Sequence, residues 1–285
     1  MMAFPGINEL TARALAMKGE EVLSRSIFET EVFADGSEMA KAMAASMVTD
    51  YARCLDSGKE KAVMIVPVGP VGQYPLFAAM VKERKMDLSR LTLVIMDEYL
   101  DSAGKWIPEE NPLSFRGHVR RNLTDLLPEG NRPEIIIPDP ADPGRLTERC
   151  RELGGIDYAY AGVGITGHLA FNEPVPGRDN ADWFAGLSTR VVSLLPESRL
   201  INSVTAAGGN VFAIPEMAVT VGMKEILSAK QVRVWMNRTW QCAAVRRMLF
   251  GPVTAAYPAS LLQRHGRVSL GLTREVLDVP IPVLR

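Results

Sequence analysis

Two short runs constrain this chain more than any other feature. Val63-Met-Ile-Val66 and Leu91-Thr-Leu-Val-Ile95 are apolar almost without a break. A strand with one wet face alternates polar and apolar residues, whereas a run apolar throughout has to be covered on both faces. A helical pattern from about Gln73 to Arg84 separates the two runs, and the same alternation continues along the chain. Further strands are expected at Thr30–Phe33, 134–137, 158–161, 190–194, 219–221 and 232–235. Helices are expected over 112–126, 143–153, 239–250 and 258–265. Met39, Met43, Met47 and Tyr51 recur every fourth residue behind an Asp35-Gly-Ser37 cap, which places them on one face of a helix, as core. No linker-like stretch, low-complexity segment or repeat interrupts the pattern. The expectation is a single-domain α/β fold: a largely parallel, doubly wound sheet with helices on both faces.

Composition narrows the function classes. The 32 basic and 33 acidic residues leave a net charge of −1, so there is no electrostatic footprint for nucleic acid or for an anionic membrane. Cys54, Cys150 and Cys242 are few and widely spaced, which fits reduced thiols and not a disulfide framework. Residues 1–21 carry Asn8, Glu9, Arg13 and Lys18 among their apolar residues, so they lack a signal-peptide core. No apolar run reaches the roughly 18 residues of a membrane span. A soluble cytoplasmic protein is expected, with no nucleic-acid or membrane partner.

In a parallel sheet, ligands bind beyond the carboxyl ends of the strands. Three segments lie at such ends: Pro67-Val-Gly-Pro-Val-Gly72, Met96-Asp-Glu-Tyr99 and Gly162-Val-Gly-Ile-Thr-Gly-His-Leu-Ala-Phe-Asn-Glu-Pro174. The last opens with G-x-G-x-x-G, yet Pro174, Pro176 and Gly177 stop the long helix that a dinucleotide site needs, so that reading fails. What remains is a Gly-rich turn with His168 and Glu173 close behind. A carboxylate can orient an imidazole that titrates near neutrality, although a buried histidine can also be purely structural. Asp97 and Glu98 at a strand end are turn or cap residues in one reading and a general base in the other.

Taken together, Met96-Asp-Glu-Tyr99 and Gly167-His-x-Ala-Phe-Asn-Glu-Pro174 resemble two signature segments of the glucosamine-6-phosphate deaminase family. Weaker echoes occur at Arg121-Asn122, Ser188-Thr-Arg190, Thr220-Val-Gly222 and Pro258-Ala-Ser-x-Leu-Gln-x-His265. The resemblance runs from about residue 29 to 272. Residues 1–28 then form an N-terminal helical extension, and 29–285 the family domain. It implies an aldose–ketose isomerisation with release of ammonia, without cofactor or metal, on a small sugar or sugar-phosphate substrate. Homo-oligomerisation is left open.

Carried over by motif, Asp97 would move a proton between C2 and C1, His168 would assist ring opening, and Glu173 would orient His168. Substrate contacts are implied for Gly69, Gly72, Glu98, Gly162, Gly164, Thr166, Gly167 and Asn172. The chain also departs from the pattern. Thr166 stands where the family has an Asp two residues before the histidine. In the phosphate loop Val68 and Val71 replace hydroxyls, and Pro70 removes a backbone donor. A family Arg falls at Val204 and a family Lys at Gln241. Charge-assisted hydrogen bonds contribute about 1.5–3 kcal/mol each, so losing two lowers phosphate affinity roughly 10²- to 10⁴-fold.

Arg199 or Arg238 would have to compensate, helped by the helix N-terminus after residue 72. Three readings follow: an isomerase/deaminase on a substrate lacking the usual 6-phosphate, an orthodox deaminase with a compensated phosphate site, or a non-catalytic sugar-binding sensor. A lactonase-like hydrolase is the remaining possibility.

Overall fold

A computed structural model describes residues 8–282. The chain begins with two short helices, α1 (Glu9–Leu15) and α2 (Gly19–Arg25), and then enters β1 (Glu29–Phe33). Next come α3 (Gly36–Asp56), β2 (Ala62–Val66), α4 (Gln73–Glu83), β3 (Leu91–Ile95) and β4 (Asp97–Leu100). They are followed by α5 (Phe115–Asn122), β5 (Glu134–Ile136), α6 (Gly144–Glu152) and β6 (Tyr158–Ala161). α7 (Ala181–Ala185), β7 (Arg190–Ser193), α8 (Pro196–Ala206), β8 (Met217–Thr220) and α9 (Met223–Ser228) come after these. The chain closes with β9 (Gln231–Met236), α10 (Gln241–Phe250) and β10 (Val268–Thr273).

Seven strands form one sheet in the order β1-β10-β9-β6-β2-β3-β5, and every neighbouring pair is parallel. The runs that fixed the expectation sit at its centre. Within β2, Val63 and Ile65 pack into one core, while Ala62, Met64 and Val66 pack into the other. That two-sided burial is why neither run alternates. Helices α3, α4 and α5 cover one face, and α6, α9 and α10 the other. Met39, Met43, Met47 and Tyr51 are all fully buried under the first group, as their spacing requires.

Several details depart from the sequence expectation. β7 and β8 do not join the parallel sheet; with β4 they make a small antiparallel sheet of order β4-β8-β7. The stretch Pro258–Arg264 is a 3₁₀ helix instead of an α-helix. β10 was not foreseen, because Gly271 breaks its apolar pattern. The glycine is required: a Cβ there would lie 2.2 Å from the Trp235 ring on the neighbouring strand. α8 was not foreseen either, because its pattern is inverted. Ser198 and Ser203 face inward, whereas Leu200 and Val204 are exposed.

Residues 1–7 of the expected N-terminal extension lie outside the described residues. The remainder seats on the domain through Arg246, a fully buried residue that donates to the carbonyls of Met17 (2.9 Å), Cys242 (2.8 Å) and Leu277 (2.8 Å). A second buried charge ties α3 to the sheet. Asp50, with no exposure, accepts from Arg233 Nε (2.6 Å) and Nη2 (2.7 Å) and from the Tyr160 hydroxyl (2.5 Å). Among the described residues, no helix is long and apolar enough to cross a membrane.

Candidate active site

The carboxyl ends of β2, β3, β6 and β9 open into one cavity of about 370 Å³, bounded by α8 and by the start of α5. Asp97 reaches it because the chain passes from the parallel sheet into the antiparallel one directly after β3. Met96 donates to the Val66 carbonyl inside the parallel sheet (3.0 Å), and its own carbonyl accepts from Val221 in the antiparallel one (2.7 Å). Asp97 is therefore the first residue of β4, paired with Thr220, with its side chain on the cavity wall. It is only 7% exposed, and its carboxylate accepts no hydrogen bond from the described residues. Burial, with the charge of Glu98 added, pushes its pKa well above the usual carboxylate range.

Glu98 takes the opposite course, as alternation along a strand demands. It is fully buried and turned away from the cavity, accepting from Ser114 Oγ (2.8 Å) and from the backbone N–H groups of Tyr99 (2.9 Å), Phe115 (3.1 Å) and Arg116 (2.9 Å). Its carboxylate holds the first turn of α5, where the free N–H groups favour an anion. Glu98, expected among the substrate contacts, is not part of the cavity lining. It fixes the segment from Pro112 to Phe115, together with His118, and all of these line the cavity.

The Gly-rich turn after β6 places His168 with little room to spare. Gly164 donates to the His168 carbonyl (2.9 Å), and a Cβ on Gly164 would sit 1.9 Å from His168 Nε2. Gly167 adopts φ 84° and lies against the Tyr257 ring. His168 Nδ1 is 2.8 Å from Thr166 Oγ1, 3.4 Å from Ser198 Oγ and 4.0 Å from Glu173 Oε1. Burial alone lowers the imidazole pKa to about 4. Glu173 accepts from the Leu195 N–H through Oε2 (3.1 Å), its Oε1 is buried without a donor, and burial raises its pKa. Each group of the pair thus favours its neutral form. A hydroxyl serves Nδ1 directly, and the carboxyl stands one step back.

Other expected residues divide in the same way. Gly69, Gly162 and Gly164 line the cavity. Gly72, at φ 109°, caps α4, and Thr166 and Gly167 shape the turn behind His168. Asn172 is buried away from the cavity: its amide donates to the carbonyls of Leu169 (2.9 Å) and Val221 (2.7 Å), and its oxygen accepts from Arg190 (2.8 Å). It joins the Gly-rich turn to the end of β8 and, although expected among the substrate contacts, is not part of the cavity lining.

The wall around Pro67–Val71 is apolar, and Pro70 presents no N–H. Val204 is exposed on α8. The Gln241 amide is already engaged, donating to the Val163 carbonyl (2.8 Å) and accepting from the Arg238 N–H (2.9 Å). Arg199 is paired with Glu216 (3.0 Å), outside the cavity lining. Arg238 is the one lysine or arginine that lines the cavity among the described residues.

His118, Asn202, Thr205, Trp235, Asn237 and Trp240 also line it and were not singled out from sequence. The strand-end rule could have found Asn237, which directly follows β9. His118 and Asn202 depend on the placements of α5 and α8, which no local pattern gives. Among the described residues, no group of three or more His, Cys, Asp or Glu side chains is arranged to hold a metal ion.

Two results are expected from this geometry. Gly164→Ala should force the His168 ring from its place, losing about 1–3 kcal/mol by overpacking and lowering the melting temperature. An unchanged melt would contradict the close approach. The second concerns pH. The unfolded chain binds a proton on His168 near its ordinary pKa, whereas the folded chain binds it only near 4. His168 therefore contributes fully to stability above about pH 6.5 and loses that contribution as the pH falls towards 4. Urea titrations should show wild type losing about 3 kcal/mol relative to His168→Gln across that window. A difference independent of pH would contradict the burial of a neutral ring.

No family model matches the sequence. Curated relatives do. The glucosamine-6-phosphate deaminase 2 of Bacillus subtilis is 31% identical over 222 residues, covering 74% of this chain and 83% of the relative. The glucosamine-6-phosphate deaminase of Halothermothrix orenii is 29% identical over 219 residues, with coverage of 74% and 83%. Among solved structures, a monomeric glucosamine-6-phosphate deaminase of the NagB superfamily superposes with a TM-score of 0.74 at 23% identity, over 88% of this chain and 100% of that one. A 6-phosphogluconolactonase from Plasmodium vivax gives 0.66 at 17% identity, over 90% and 95%. At those identities the two structures speak for the fold alone.

Proposed function

This chain belongs to the glucosamine-6-phosphate deaminase family, and from that premise we propose that it isomerises and deaminates an amino sugar lacking the usual 6-phosphate, with Asp97 as the base. The curated relatives act as deaminases of glucosamine 6-phosphate, and an enzyme of the deaminase/isomerase kind fits the cavity described above. The observation that carries the reading is the Asp97 carboxylate. It lies on the cavity wall, it is nearly buried, and it has no hydrogen-bond donor of its own to stabilise its charge. A group so placed has a raised affinity for a proton, which is what a base acting on a weakly acidic C–H bond needs.

In an open-chain amino aldose, the carbon bearing the amine (C2) is flanked by the C1 aldehyde. Asp97 takes the C2 proton, the electron pair forms a C1=C2 enolamine, and negative charge develops on O1. The Gly164 and Gly167 N–H groups are engaged within the turn, so those of Gly162 and Val163, which line the cavity, are the ones suited to stabilise that oxygen. The substrate's ammonium group passes one proton to O1 and Asp97 returns the C2 proton to C1, leaving an iminium at C2. Water adds there and ammonia departs, so one water is consumed, one ammonia is released and no oxidant is needed. His168, uncharged at neutral pH, is suited to accept the O1 proton when a cyclic sugar opens, with Thr166 and Glu173 behind it setting the ring orientation.

Against a 6-phosphate stand the apolar loop, the exposed Val204 and the engaged Gln241 side chain. The test is ammonia release from glucosamine and from glucosamine 6-phosphate, by wild type and by Asp97→Asn. The expected result is a higher kcat/KM for the unphosphorylated sugar, lost in the variant. Release from the phosphate alone would overturn the substrate assignment. Equal release by the variant would overturn the role of Asp97. Sugar binding without release from either would favour the sensor.

A further inference from the structure

We propose that the end of the cavity formed by the segment after β9 binds a carboxylate, so that the substrate is a 2-amino-2-deoxyuronate. The inference rests on the phosphate-free reading above and names the group that takes the phosphate's place. Its starting point is Arg238. The guanidinium donates to no described residue, while the backbone around it is held: the Arg238 N–H donates to Gln241 Oε1 at 2.9 Å, and the Gln241 amide is anchored on Val163. A fixed backbone carrying an unpaired guanidinium on a cavity wall is a ready partner for an anion.

The neighbouring groups specify which anion. Trp235 and Trp240 both line the cavity, and the indole N–H of each is buried without an acceptor. An indole can only donate, as can a guanidinium. A carboxylate only accepts, whereas a hydroxymethyl group also brings a donor that would need an acceptor there. Charge points the same way: among the described residues, Arg238 is the single Lys or Arg in the lining. One guanidinium balances a monoanion and forms a planar two-bond pair with it. It leaves about one charge of a phosphate dianion unbalanced beside the apolar Val68 and Pro70.

The span fits a six-carbon chain. Arg238 follows β9 and Asp97 follows β3, three strand intervals apart across β6 and β2, which is about 14 Å. An extended sugar covers about 5 Å from C2 to C6 over four carbon–carbon bonds of roughly 1.5 Å. Contact distances of about 3 Å at each end, together with the reach of the two side chains, account for the rest.

The experiment measures kcat/KM for 2-amino-2-deoxyglucuronate, glucosamine and glucosamine 6-phosphate with wild type, Arg238→Gln and Arg238→Lys. Wild type should prefer the uronate to glucosamine by about 10- to 100-fold, the range of a charge-assisted pair. The ratio should fall to about one in Arg238→Gln and to an intermediate value in Arg238→Lys, which keeps the charge and loses the fork. Equal use of uronate and glucosamine by wild type, or a preference that survives Arg238→Gln, would overturn this inference and leave the phosphate-free reading standing. A preference for the 6-phosphate would overturn both.

Discussion

Asp97→Asn is expected to melt at a higher temperature than wild type while releasing ammonia about 10²- to 10⁴-fold more slowly. The two effects share one origin. A carboxylate at 7% exposure with no donor is costly to ionise, and its raised pKa expresses that cost. Above the ordinary aspartate pKa of about 4, the unfolded chain has released this proton while the folded chain still favours keeping it, so the group destabilises the fold. The asparagine removes the penalty and with it the base. The thermal gain should be present at pH 7 and vanish as the pH falls to about 4, where both states hold the proton. At about 2–4 °C per kcal/mol for a chain of this size class, the shift is measurable by calorimetry. A variant that melts lower at pH 7 would contradict the picture of an unsupported buried charge.

Asp50→Ala is expected to be the most destabilising single change in the core. Asp50 is fully buried, and Arg233, at 16% side-chain exposure, meets it through two nitrogens. Removing the acid leaves that guanidinium buried and uncompensated, together with the Tyr160 hydroxyl, for a loss of about 3–5 kcal/mol. Replacing both charges, as Asp50→Leu with Arg233→Met, should recover most of it, since a buried pair adds little over well-packed apolar groups. Denaturant midpoints test this. A loss below about 1 kcal/mol in the single variant would mean that Arg233 finds solvent. The cluster lies outside the cavity lining, so the double variant also separates fold from function.

The parallel sheet was legible because two-sided burial writes itself into β2 and β3 as unbroken apolar runs. Gly271 concealed β10, since the reason for that glycine is the Trp235 ring on the next strand, a contact invisible in one dimension. α8 was hidden by its outward-facing Leu200 and Val204. At the site, Asp97 and His168 could be found because strand ends point to the cavity. Glu98 and Asn172 lie off the cavity because adjacent residues on a strand or turn face opposite ways, and a motif does not say which of two neighbours lines it. Arg238 could be named only as a candidate cation. That it is the one Lys or Arg of the lining among the described residues, with Arg199 paired to Glu216 instead, is a property of the assembled loops.

In the proposed reaction a single base moves the C2 proton before ammonia leaves, on a sugar without a 6-phosphate. Glucosamine carrying deuterium at C2 tests it most directly, with the product examined by NMR. The expected result is ammonia release together with loss of deuterium from C2, which becomes a carbonyl, and recovery of the label at C1 or in solvent. No release, or ammonia released with deuterium still attached to C2 as in a direct displacement by water, would contradict it.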